Sequence, residues 1–265
     1  MTFKFALKLA GLAMAALASG FAPSAHATWN FSSCTQNAGN ANTYGNSFNC
    51  GGDASGVTAT ATAWSTTMNT AETASNVSGG SKWASANLAL YSGGFGVKNQ
   101  YEGLNAGSPN HSMDSYNNTT DAILLSFDSS VVLSQLGVGW YSGDSDVTVM
   151  RYTGATAPVL TGSVVDLDTL SGWELIGSHS DVGVSGTASI NPDDKASSWW
   201  LISAYNNTYG GQTWSTNNDY VKLLSVSGVK CTDCGGGGSA PEPGSLALVA
   251  LALVAGNTVR RRKQR

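Results

Sequence analysis

Between residues 57 and 229 the chain is a series of short segments in which apolar and polar residues alternate. Residues 57–64 (VTATATAW), 83–91 (WASANLALY) and 146–152 (DVTVMRY) repeat with a period of two, the pattern of strands with one buried face. Residues 122–127 (AILLSF) and 131–140 (VVLSQLGVGW) are richer in apolar side chains and predict central strands. Segments 173–177, 186–190, 199–204 and 220–229 complete the set. Turns rich in Gly, Asn and Asp separate them, among them Gly143-Asp144, Asn191-Pro192-Asp193-Asp194 and Asn206-Asn207. No amphipathic helix of useful length is visible, apart from a short turn around 130–136. About ten short strands of this kind predict an all-β fold, a single β-sandwich of the jelly-roll type. Residues 28–55 read as an N-terminal extension to it, and no repeat or second domain boundary is evident within 28–234.

The pattern changes at both ends. Lys4 and Lys8 precede an apolar run over 9–18, and the small-residue site Ala25-His26-Ala27 follows. Positive start, short apolar core and A-x-A exit predict a signal peptide over 1–27, with the mature chain starting at Thr28. The run is too short to span a bilayer. At the other end, a Gly-rich linker (235–240) runs into Pro241-Glu242-Pro243, whose prolines hold an extended, exposed element. Residues 244–259 (GSLALVALALVAGNTV) predict one hydrophobic helix. At about 1.5 Å per residue it reaches about 24 Å, short of a ~30 Å hydrocarbon core. Arg260, Arg261, Arg262, Lys263 and Arg265 form a basic stop that holds the end on the cytoplasmic side.

Taken together, Pro241-Glu242-Pro243, the helix from Gly244 and the cluster from Arg260 resemble the PEP-CTERM sorting signal, here over 241–265. The family commonly has a hydrophobic residue before the motif, where this chain has Ala240. The resemblance implies an exported protein, held in the inner membrane as a precursor by transient contact through the helix. An exosortase-type membrane enzyme would then process it, leaving it on the cell surface or in the extracellular space. The stretch 136–149 (LGVGWYSGDSDVTV), with 121–127 and 199–205, looks like the strand, D-x-D turn, strand element of other exosortase-dependent surface proteins. That resemblance implies a structural or adhesive role beside exopolysaccharide. A plain tail anchor is the alternative reading of the C-terminus.

Charge narrows the partners. Between the two signals, Lys82, Lys98, Arg151, Lys195, Lys222 and Lys230 stand against sixteen acidic residues. Such a surface repels nucleic acid and anionic membranes. Its polarity comes mostly from Ser, Thr, Asn and Gly, while eight Trp and nine Tyr argue for a packed core rather than disorder. The four cysteines, Cys34, Cys50, Cys231 and Cys234, allow three pairings. Export favours disulfides, and closeness in sequence favours Cys34–Cys50 with Cys231–Cys234. A redox C-x-x-C or a four-cysteine zinc site are the alternatives.

Candidate chemistry is sparse. The mature chain keeps only His111 and His179, with neither G-x-S-x-G nor H-E-x-x-H. Glu72, Glu102 and Glu174 are isolated, and His111 sits near Asp114 in a loop, where a structural role is the simpler reading. The sequence therefore predicts no enzyme and no cofactor beyond calcium. Asp144 and Asp146, two residues apart at a strand edge, offer hard oxygen ligands for Ca²⁺; the alternative is a turn in which Asp caps the backbone. Asp166-Leu167-Asp168 and Asp193-Asp194 are further acidic clusters. A second function class is a glycan-binding module, calcium-dependent or not, with Trp64, Trp83, Trp214 and the 205–209 loop as an aromatic platform. A glycan hydrolase is a third.

Overall fold

The computed structural model describes residues 26–37, 42–69, 77–208 and 212–232. The predicted leader up to Ala25, the linker, Cys234 and the whole tail, including its expected helix, lie outside these residues. The first half holds β1 (His26–Asn30), β2 (Thr35–Gln36), β3 (Ser47–Gly51), β4 (Thr58–Met68), β5 (Lys82–Ser85), β6 (Asn87–Tyr91), β7 (Gly94–Lys98) and β8 (Met113–Asp114). The second half holds β9 (Asp121–Gly143), β10 (Val147–Tyr152), β11 (Trp173–His179), β12 (Thr187–Ser189), β13 (Ser197–Ala204) and β14 (Asp219–Lys230). A single α-helical turn, α1 (Val182–Ser185), occurs among the described residues, none of whose helices is long and apolar enough to cross a membrane.

The all-β prediction holds, but the two-sheet jelly roll does not. All fourteen strands of the described residues join one open sheet, with the main order β11-β10-β13-β9-β14-β7-β6. The reason is β9. Segments 122–127 and 131–140, expected as two strands with a turn at 130–136, are one strand of 23 residues. Its first half lies between β4 and β13, and its second half pairs with β14 and β12. Hydrogen bonding therefore runs unbroken where a sandwich would change sheets. The two arms still share a core. Phe48 on β3, reached through β4, meets Phe95 on β7, reached through β14, with ring centroids 5.0 Å apart. Phe31 stacks on the same Phe95 at 5.0 Å.

The period of two explains why β9 is apolar on both faces. Ile123, Leu125 and Phe127 enter the main core with Trp29, Phe31 and Trp200. Ala122 and Leu124 point the other way into a smaller cluster with Trp83, Met150 and Leu201. Each large aliphatic or aromatic side chain buried this way contributes about 1.5–3 kcal/mol.

Residues 28–55 are not an appendage. β1 pairs with β14 from His26↔Val229 to Asn30↔Ser225, and β3 pairs with β4. Trp29 and Phe31 are fully buried, and the Trp29 indole N–H donates to Val57 O at 2.9 Å. The sequence hid this because Asn- and Gly-rich loops separate the short strands. A disulfide joins Cys34 to Cys50, as expected; closing a loop of this length stabilises by about 3 kcal/mol. Cys231 is disulfide-bonded as well. A cut after Ala27 would take His26 and the fully buried Ala27 off β1 and leave Thr28–Asn30 on the sheet.

Candidate functional site

Two groups of three carboxylates gather around the short segment 114–121, which links β8 to β9. In each group, ligand oxygens of all three residues lie within 4.8 Å of one another. β8 lies against β14 with Asp114 opposite Tyr220, so Asp114 and Asp219 become near neighbours. Ser115 sits between the groups. The turn after it is left-handed at Asn117 and Asn118 (φ 54° and 57°), a conformation Asn tolerates better than most residues.

The first group contains the two predicted ligands, Asp144 and Asp146, and adds Asp219. Gly143 turns the chain here with φ +68°; a Cβ at that position would sit 2.8 Å from Asn218 O, the oxygen that accepts from Asp144 N–H. The carboxylates are heavily engaged. Asp144 Oδ1 accepts from Ser145 N, and its Oδ2 from Ser215 Oγ and Asn218 Nδ2. Asp146 Oδ1 accepts from Asp181 N at 2.8 Å. Asp219 Oδ1 accepts from Asp146 N at 2.9 Å, and its Oδ2 from Ser115 Oγ at 3.0 Å. Burial pushes the Asp146 carboxyl up to about 6, with the charge of Asp144 adding to the effect. Burial likewise raises Asp219 to about 7 against the hydrogen bonds it accepts. This group braces a turn, tying β9, β14 and the start of α1 together.

The second group is Glu102, Asp114 and Asp121. No spacing rule joins these residues; only pairing of β8 with β14 and the hydrogen bond from Asn99 Nδ2 to Asp121 Oδ1 (3.1 Å) place them together. Asp114 and Asp121 are fully buried. Asp114 Oδ1 accepts from Tyr116 N at 3.1 Å. Asp114 Oδ2, Asp121 Oδ2 and both Glu102 oxygens find no hydrogen-bond partner among the described residues. The ion pairs there are Arg151–Glu174, Lys195–Glu174 and Lys195–Asp193, and none reaches this group. Burial, then the charge of Asp121, raises Glu102 to about 9. Burial raises Asp121 to about 7 against the hydrogen bond from Asn99 and the nearby Ser65 hydroxyl and Asp114 N–H, and raises Asp114 with help from the Asp121 charge.

A cavity of about 440 Å³ opens beside Glu102, walled by Tyr101, Tyr116, Ser108 and Asn110. Tyr101 is 38% exposed, and its hydroxyl accepts from Asn117 Nδ2 at 2.8 Å. On the other side of the segment, a cleft of about 250 Å³ is lined by Ser115, Asn118, Thr120, Asn206 and Asn217.

The expected aromatic platform does not hold at Trp83 and Tyr205, which are buried. Trp83 is fully buried in the smaller core, and half-buried Trp64 packs against that core. Trp214 leans on buried Tyr205 at 5.2 Å, whose hydroxyl donates to Gln212 O; Tyr209 lies outside the described residues. His111 stacks on Tyr91 at 4.4 Å, and the Lys222 ammonium lies over the Tyr91 and Trp140 rings. Burial, with the Lys222 charge, lowers the basicity of His111. Of the other acidic pairs, Asp166 rises to about 6 through its contact with Asp168, and Asp193 meets Lys195 at 3.6 Å.

Residues 239–263 match the PEP-CTERM protein-sorting motif. The match spans Pro241, Glu242, Pro243 and the basic run Arg260–Lys263, and stops before Arg265. A chain carrying this motif is exported to the cell surface or extracellular space and processed by exosortase, a membrane enzyme. No curated protein matches the chain.

Proposed function

We propose that this protein is an adhesive component of the cell surface or extracellular matrix that binds polysaccharide. It is made as a precursor with a leader cut after Ala27 and is held in the inner membrane through residues 244–259. Exosortase-type processing near Pro241–Pro243 then releases or transfers it. The observation that carries the adhesive reading is the 440 Å³ cavity, where Tyr101 and Tyr116 stand beside Ser108, Asn110 and Glu102. A sugar ring has apolar faces and hydroxyl edges, and this wall offers aromatic faces next to hydrogen-bonding groups. The surplus of acidic residues disfavours nucleic acid as the partner.

A hydrolase is the weaker reading. Glycosidases hold two carboxylates about 5–9.5 Å apart on either side of the scissile bond. Here Asp114 and Asp121 are fully buried, which keeps a glycosidic bond from being flanked by them.

The test is binding of the purified exported protein to the exopolysaccharide of its own host by isothermal titration, beside Tyr101→Ala. Saturable heat that Tyr101→Ala weakens at least about tenfold supports the reading; that loss corresponds to about 1.4 kcal/mol of stacking. No heat with any matrix polysaccharide, in a protein of unchanged melting temperature, removes it.

A further inference from the structure

We propose that Glu102, Asp114 and Asp121 form a calcium site distinct from the Asp144–Asp146 pair. Three facts converge on it. The ligand oxygens lie within 4.8 Å of one another, and oxygens on opposite sides of a Ca²⁺ ion bonded at 2.3–2.6 Å are about 4.6–5.2 Å apart. Asp114 and Asp121 are fully buried, yet each keeps one carboxylate oxygen with no partner among the described residues. Buried polar atoms are almost always paired, so two such oxygens in one group are free to act as ligands to a cation. Finally, Glu102 lines the open cavity, which gives an ion and its waters a path in from solvent.

The remaining contacts fit a set of cation ligands. Asn99 Nδ2 and Tyr116 N each hold one oxygen of a buried carboxylate, which orients the other for metal. Asn99 Oδ1 accepts from the backbone N–H of Tyr101 and Glu102, fixing the turn that carries the third carboxylate. Hard, compact carboxylate oxygens without nitrogen or sulfur suit Ca²⁺ rather than a transition metal. The ion would neutralise the group and pin the Tyr101–Glu102 turn to segment 114–121 at the cavity wall. This assignment does not depend on the polysaccharide reading: calcium is tested alone, with no sugar present.

The experiment follows thermal unfolding and calorimetric titration of the purified exported protein, first stripped with EDTA, then given CaCl₂ at pH 7.5. Wild type is expected to bind one Ca²⁺ through this site. At calcium about 100-fold above Kd, its melting temperature should rise by about 5–10 °C. Asp121→Asn and, separately, Glu102→Gln should abolish that rise, while Asp146→Asn keeps it. Glu102→Gln tests the site even if the buried Asp121 position proves intolerant, because Glu102 is only partly buried. A wild type that shows neither heat nor shift overturns the proposal. So does a shift that survives Glu102→Gln and disappears in Asp146→Asn, which would put calcium at the first group.

Discussion

The two carboxylate groups flank the same segment and look alike as lists of residues, yet they are opposites physically. At Asp144, Asp146 and Asp219, nearly every oxygen accepts a hydrogen bond from the protein. At Glu102, Asp114 and Asp121, four oxygens accept none among the described residues. The first group holds a turn through the donors it accepts from. The second leaves four oxygens open to protons or a cation. Nearness of carboxylates therefore says little about metal; what separates a brace from a ligand set is whether the donors are already supplied.

The contrast predicts opposite signs for removing one acid from each group. Asp219→Ala leaves the buried Asp146 N–H and Ser115 Oγ without their acceptor. It should destabilise by about 2–4 kcal/mol, seen as a fall in melting temperature of about 4–16 °C in EDTA. A fall below about 2 °C would mean that the first group is no brace.

Next comes pH. Asp219 and Asp146 are raised to about 7 and about 6 from an ordinary value of 3.8. The folded chain therefore binds more protons than the unfolded one between about pH 4 and 7. Stability from these groups is full below about pH 4 and is lost as pH rises through their folded values. In EDTA the wild-type melting temperature should decline over that range, and Asp219→Asn should decline less. Parallel curves would break the link.

A smaller effect of the other sign is expected at the second group. Asp121→Asn can keep the bond from Asn99 through its amide oxygen and removes a like charge beside Asp114 and Glu102. Without metal it should raise the melting temperature by about 2–4 °C, as relief of about 1 kcal/mol would in a domain of this size. A loss comparable to that of Asp219→Ala would make the two groups equivalent and erase the distinction. Smallest of all, Tyr101→Ala on the exposed cavity rim should shift melting by no more than about 2 °C. A larger shift would make Tyr101 a packing residue rather than a binding surface.

Particular residues show how far the chain could be read beforehand. Segment 57–64 and the strands at 146–152 and 199–204 were legible because alternation with a period of two is local. The D-x-D turn was legible as a turn. Its third acid, Asp219, was not, because it arrives through β14 more than seventy residues away. Glu102 and Asp114 looked like an isolated glutamate and a companion of His111, and no spacing signal would have joined them. Trp83, a candidate surface aromatic by composition, is turned inward by strand alternation.

The sequence by itself determined the destination of this protein and its all-β character, and favoured its Cys34–Cys50 link. Sorting signals are read as linear order, strand propensity is a property of neighbouring residues, and a short-loop disulfide needs only nearness along the chain. Tertiary structure alone decided that β9 makes one sheet of two expected halves, that 28–55 belongs to the core, and which acids gather in each group. These outcomes depend on long-range strand register and on the supply of buried hydrogen-bond donors, and neither is written in any local stretch of residues.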